Sequence, residues 1–172
     1  MPILADEKQI AAVVDRLADE VGSVMAALPG PWAFIGVRDH GDALANRLAS
    51  RLKPEYLGAL DITLYRDDVS QAGAGAAVRP TEINFPLDDV NVLLVDDVLM
   101  TGRSVRAALQ LLVDFGRPRC VKLLVLVDRG RRELPIAPDF VGLRVNTDPG
   151  EHVAVHLKPA DPSDRIIMKD EL

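Results

Sequence analysis

The sequence predicts an α/β fold, a mainly parallel, twisted sheet flanked by helices. Three observations carry that expectation. Segments with helical and strand periodicity alternate along the chain. The strand segments are solid apolar runs rather than alternating ones, the pattern of strands covered on both faces. One such run passes directly into two carboxylates, a hydroxyl-rich turn and a helical pattern (VLLVDDVLMTGRSVRAAL, residues 92–109), the layout of a strand tip that feeds a ligand site. The 172 residues suit a single domain spanning 1–172, and no internal repeat or linker divides them.

Each element follows from local pattern. Asp6 opens a helix on which Ile10, Val13, Val14, Leu17, Val21, Met25 and Leu28 recur at helical spacing, and Pro29-Gly30 ends it. Residues 33–37 (AFIGV) form a short buried strand. Gly41 begins a second helix with Leu44, Ala45, Leu48 and Leu52 on one face. Residues 60–65 (LDITLY) read as a second strand. The stretch 66–81 (RDDVSQAGAGAAVRPT) has no period; a loop of that length in a compact domain is expected to be a lid or disordered. Its AGAGA run is a flexible tract, not a dinucleotide fingerprint, because no G-x-G-x-x-G follows a strand. Residues 82–85 suggest a short strand and 90–95 a third buried one. A helix over 104–115 is closed by Gly116 and Pro118. Residues 121–127 (VKLLVLV) form a fourth buried strand, and 141–145 and 152–157 read as late strands.

Composition narrows the function classes. Lys and Arg number 20 against 26 Asp and Glu, a net charge of −6, which disfavours nonspecific nucleic-acid binding by the surface as a whole. Cys120 is the only cysteine, so no internal disulfide forms, and its apolar neighbours suggest burial. No run reaches the ~18 apolar residues of a membrane span, and the N-terminus lacks the pattern of a signal peptide. Residues 169–172 (KDEL) match a retention signal that is read only inside the secretory pathway. With nothing to carry the chain there, the match reads as coincidence and the expected location is cytoplasmic, away from membranes.

The motif at 92–109 raises a chemical question: why two negative charges beside a hydroxyl-rich turn? The turn Thr101–Ser104 leads into a helix N-terminus, where free N–H groups and the helix dipole attract phosphate. Gly102 lets the backbone approach closely. Ser104 serves either as a phosphate ligand or as the helix N-cap. Asp96 and Asp97 cannot bind phosphate, but carboxylates accept hydrogen bonds from sugar hydroxyls. A sugar phosphate explains both halves.

Residues 92–104 (VLLVDDVLMTGRS) resemble the 5-phosphoribosyl-1-pyrophosphate (PRPP) motif of type I phosphoribosyltransferases. LDITLYRDD at 60–68, DFGRP at 114–118 and LVDRGRRELPI at 126–136 are similar to the PyrR family, pyrimidine-operon attenuation proteins that are also uracil phosphoribosyltransferases. The likeness covers roughly residues 6–157. It implies the type I phosphoribosyltransferase fold, with a small hood at 128–142 and a mobile flap at 66–81. It implies the reaction of uracil with PRPP to give UMP and pyrophosphate, with Mg²⁺ carried by PRPP rather than by a protein cage, and a homodimer or higher homo-oligomer.

The resemblance also assigns roles. Asp96, Asp97 and Arg38 fall at catalytic positions. Val98, Leu99, Met100, Thr101, Gly102, Arg103 and Ser104 form the sugar-phosphate turn; Asp39, His40 and Gly41 complete the pyrophosphate loop. Arg66 and Arg79 stand where they can meet the pyrophosphate, although Arg79 reads more readily as a solvated loop residue. Val127, Asp128 and Arg129 fall in the base-recognition region, with Arg131 and Arg132 read as surface charges. Two positions of the pyrophosphate loop depart from the family pattern: His40 replaces the usual arginine and is expected to be only partly charged near neutrality, and Asp39 brings a negative charge, expected to point away from the pyrophosphate or to cap the helix. Attenuation requires a basic RNA-binding face. Asp15 and Asp19 stand where RNA-binding members carry hydroxyl and histidine residues, and only Arg16 keeps the pattern, so an mRNA leader is a disfavoured partner. The ranking is therefore enzyme first, UMP-responsive attenuator second, and catalytically weak PRPP or UMP sensor third.

Overall fold

The computed structural model describes residues 1–67 and 79–170; most of the predicted flap, including AGAGA, lies outside the described residues. A strand not foreseen from sequence, β1 (Ile3–Ala5), opens the chain. Asp6 then starts α1 (Glu7–Ala27): its side chain accepts the Gln9 N–H at 2.8 Å, and the Gln9 side chain accepts the Asp6 N–H at 2.9 Å. This reciprocal cap satisfies two N–H groups that the helix itself cannot. There follow β2 (Trp32–Val37), α2 (His40–Leu52), β3 (Tyr56–Leu60), β4 (Asn91–Leu99), α3 (Arg103–Leu112), β5 (Cys120–Asp128), β6 (Phe140–Arg144), β7 (Glu151–His156) and β8 (Arg165–Asp170).

Among the described residues, β3-β2-β4-β5-β6 form one parallel sheet and β1-β8-β7 a separate antiparallel one. Alternate residues of β4 serve two cores. Leu93 and Val95 pack with Phe34, Leu44 and Leu48 on the side of α1 and α2. Val92 and Leu94 pack with Ile35, Val105, Ala108 and Leu111 on the side of α3. Double coverage is why the strand reads as an unbroken apolar run. Strand order reverses between β2 and β4, and a crevice opens there at the strands' carboxyl ends. The smaller sheet joins the α1-side core through Ala5, Val155, Leu157 and Ile166.

Two expected strands are different in kind. The segment 60–65 is not a strand: β3 stops at Leu60, and Asp61 accepts both the N–H and the hydroxyl of Thr63, at 2.8 and 2.5 Å. That local turn competes with the ladder, and Thr63–Tyr65 becomes a 3₁₀ turn with Leu64 exposed. The segment 82–85 makes only an isolated antiparallel bridge, Ala59 with Glu82.

Candidate active site

The last β2–β4 rung pairs Gly36 with Val95, whereas β5 accompanies β4 as far as Leu99. Asp96 and Asp97 are therefore inside β4, not beyond its end as the sequence suggested, but they stand past the end of β2. The 38–41 loop fills that gap. Gly41 makes the fit possible, since a Cβ there would lie 2.5 Å from the Val95 carbonyl oxygen; its role in the structure is close backbone approach, not lining of a cavity.

The two acids have opposite electrostatics. Asp96 is 5% exposed. Burial first, and the neighbouring Asp97 charge second, push its carboxyl well above the usual carboxylate range. Burial also works against ionisation of Asp97, but contact with His40, the Asp96 side chain and the Val98 N–H at 2.8 Å together hold it below the ordinary value. The two carboxyls of the pair are thus pushed in opposite directions, Asp96 toward holding its proton and Asp97 toward losing it.

His40 stands with Nδ1 3.4 Å from Asp97 Oδ2 and Nε2 2.8 Å from Asp161 Oδ2. The Asp97 contact is the largest influence on its pKa; burial opposes it, Asp161 reinforces it, and the result is about 9. The expectation of a partly charged His40 is corrected: between two carboxylates it is a cation at neutral pH. Asp39 stands at the N-cap position of α2, but its side chain makes no capping hydrogen bond. Its carboxylate pairs with Arg79, which is accordingly more than a solvated loop residue. The Arg38–Asp39 peptide is cis. Arg38 contacts Asp42 and Glu82, each at 3.2 Å, and its side chain is 13% exposed.

Two cavities meet at these acids. One, of about 590 Å³, includes Arg38, Asp39, His40, Arg79, Asp96 and Asp97 in its lining. The other, of about 840 Å³, runs along Val98–Ser104 and reaches Asp67, Glu133 and His152. Arg66, Asp96, Val98 and Ser104 line both. Gly102, not Ser104, is the N-cap of α3; Ser104 sits in the first turn facing the cavities. Thr101 Oγ1 accepts the Arg103 N–H at 3.2 Å. Arg103 is stretched between Asp67 at 2.7 Å and Glu133 at 2.9 Å.

On the β5 side the expected base-recognition residues line neither cavity. Val127 is fully buried. Asp128 is gripped by both terminal nitrogens of Arg132, at 2.9 and 2.8 Å, and approached by Arg144 at 3.2 Å. Arg129 is buried and turns toward Thr147 and the Glu151 carbonyl. Arg132 also donates to the Met100 and Ile136 carbonyls, at 3.0 and 2.9 Å, which corrects its reading as a surface charge. The Arg131 guanidinium donates to the Thr147 carbonyl at 3.0 Å, so it too is tied down. The Glu133 and Leu134 N–H groups both reach the Thr101 carbonyl at 3.0 Å. The hood segment is thereby laid over the turn. Sequence reasoning did not find Asp67, His152 or Asp161 at the site. None lies in a phosphate-turn pattern, and only the fold brings them to the crevice.

Among the described residues no group of three or more His, Cys, Asp or Glu side chains is arranged to hold a metal ion. The donor chemistry suits Mg²⁺ that arrives on a diphosphate: carboxylates flank the cavity, and Mg²⁺ commonly keeps its waters and substrate oxygens as ligands.

Fold and crevice together define a phosphoribosyltransferase. The phosphoribosyl transferase domain family matches residues 3–160. Two hypoxanthine(-guanine) phosphoribosyltransferase structures, from Bacillus anthracis and Trypanosoma cruzi, superpose with a TM-score of 0.71 each, at 16% and 17% identity, covering 97% and 100% of this chain and 98% of each of theirs. At that identity they speak for the fold, which is the type I phosphoribosyltransferase fold expected from sequence. The chain is 47% identical to the bifunctional protein PyrR of Desulfosudis oleivorans, over 97% of this chain and 94% of that one. It is 50% identical to that of Deinococcus radiodurans, over 80% and 78%. The chain belongs to the PyrR family.

Proposed function

We propose that the protein transfers the 5-phosphoribosyl group of PRPP to uracil, releasing pyrophosphate and forming UMP. The observation that carries this reading is the junction of the two cavities at Asp96, with the Thr101–Ser104 turn on one side and the Arg38, His40 and Arg79 cations on the other. The turn takes the 5′-phosphate on helix N–H groups. Asp97 accepts from a ribose hydroxyl, and Asp96 stands beside it where the two cavities join. As the anomeric C–O bond breaks, its electron pair leaves with pyrophosphate; a ring nitrogen of uracil bonds to the carbon and gives up its proton, which the released pyrophosphate or solvent takes. Asp97 offsets the positive charge that builds on the ribose, and the cations offset the charge on the leaving group. Mg²⁺ carried by PRPP would supply further charge neutralisation at the pyrophosphate, and Asp96 and Asp97 are the carboxylates that would face it. The setting we propose is cytoplasmic; among the described residues no helix is long and apolar enough to cross a membrane.

A second reading, an RNA-binding attenuator responsive to UMP, draws on the word bifunctional in the relatives' name. The α1 surface weighs against it. Asp15 is paired with Arg51, and Arg16 is spent on Glu20 at 2.7 Å and the Gly142 carbonyl at 2.6 Å. The deciding assay is UMP formation from uracil, PRPP and Mg²⁺. Turnover that disappears in the double variant Asp96→Asn/Asp97→Asn, with the fold retained, supports transfer. No UMP at high enzyme concentration overturns it.

A further inference from the structure

Asp161 lies in the connection between β7 and β8, remote in sequence from the acids of the site. Both its oxygens are committed. Oδ2 accepts from His40 Nε2 at 2.8 Å and from the Leu157 N–H at 3.1 Å. Oδ1 accepts from His156 Nδ1 at 2.8 Å. The other edge of the His40 ring faces Asp97 at 3.4 Å. One imidazole is therefore held between a carboxylate of the site and a carboxylate of the smaller sheet's connection.

The connection is itself fixed in place. Arg47, two turns beyond His40 on the same face of α2, grips Asp164 through two nitrogens at 2.5 and 2.9 Å and donates to the Lys158 carbonyl at 3.0 Å. Asp164 also takes the Lys158 N–H at 2.8 Å. So α2 presents two cations to two aspartates of one short segment, and Asp161 is presented to His40 by an anchored backbone.

A histidine whose two N–H groups both have fixed acceptors has one ring orientation, and a carboxylate partner sets which. We infer that Asp161 is a positioning residue for the transfer proposed above: through His40 it fixes how Asp97 is presented to the ribose, making the β7–β8 connection a working part of the site. The inference rests on that reading of the crevice. In Asp161→Asn the ring loses its fixed anionic acceptor and is free to turn, and Asp97 loses the partner on its outer oxygen. Small displacements of a positioned group cost on the order of 10²-fold in rate.

The test is a double-mutant cycle on kcat/KM for PRPP. Asp161→Asn is expected to lower it by about 10-fold or more with KM for uracil little changed. In a His40→Gln background the same change is expected to add less than about twofold, because residues acting through one another are not additive. Losses that multiply in the double variant, or a wild-type kcat/KM in Asp161→Asn, overturn the inference while the transferase reading stands. Urea unfolding checks each variant; if Asp161→Asn does not fold, Asp161→Glu enters the same cycle. If the wild type binds PRPP but makes no UMP, the transfer reading falls, and the cycle is read on PRPP affinity by calorimetry with the same expectation. A wild type that neither turns over nor binds PRPP overturns both.

Discussion

Gly102 carries two constraints at once. Its φ is +92°, and a Cβ would meet Ile136 Cγ1 at 2.9 Å. The glycine of the phosphate turn thus also lets the hood lie close. Gly102→Ala is expected to destabilise by about 1–3 kcal/mol from backbone conformation alone and to lower activity; urea denaturation and the UMP assay measure the two effects. His40 makes a pH prediction. Its pKa is 6.5 without partners and about 9 in the folded protein. The folded state therefore gains from its protonation, and the gain is whole below 6.5, shrinks as pH rises and is gone above about 9. Asp161 is the acid-side counterpart. Hydrogen bonds from His156, then His40, lower it from 3.8 to about 2, so its contribution holds above 3.8 and fades toward 2. The stability difference between wild type and His40→Gln, from urea midpoints, is expected to be larger at about pH 6 than at about pH 10. An equal difference at both would mean that folding leaves the pKa of the imidazole unshifted.

At the scale of elements, Arg132 joins parts that sequence kept separate. Its guanidinium ties the Asp128 carboxylate at the tip of β5, the Met100 carbonyl of the turn and the Ile136 carbonyl of the hood. Arg132→Gln leaves a buried carboxylate with, among the described residues, only the exposed Arg144 as a charged partner, a loss of about 1–3 kcal/mol. Hydrogen exchange at the Glu133 and Leu134 amides is expected to quicken, since both bond the Thr101 carbonyl only while the hood is seated; unchanged protection would mean the hood holds without the clasp. What was legible in the sequence had its cause in local pattern: the runs of β4 and β5, the Asp6 cap, and the turn into α3. What was missed depended on partners far along the chain. β1 has three residues and pairs Ile3 with Ile167, and no local periodicity announces such a strand. LDITLY alternates like a strand, but Asp61 turns the chain by binding Thr63. The acids and turn of the site could be read directly, whereas the charge state of His40 and the reach of Asp161 follow from packing.

The whole molecule carries a net charge of −6, and that excess bears most directly on RNA. Binding a polyanion draws its affinity largely from counterions released by Lys and Arg, with the salt slope counting phosphates neutralised. Beside α1 two cations are matched: Arg51 of α2 faces Asp15 of α1, and Arg16 of α1 faces Glu20 and two β6 carbonyls. Arg16 and Arg51 release counterions only by first breaking an ion pair. The expected outcome is that a pyrimidine-operon leader hairpin binds no more tightly than random RNA of equal length, with a shallow dependence on salt. Replacing Asp15 and Asp19 by serine removes two negative charges from that face and frees Arg51. It is expected to strengthen binding to both RNAs alike, because charge alone confers no sequence preference. A wild-type affinity for the leader of about 10⁻⁸ M at physiological salt, far above that for random RNA, would instead demand base-specific contacts. That result would move the attenuator reading ahead of an enzyme acting alone.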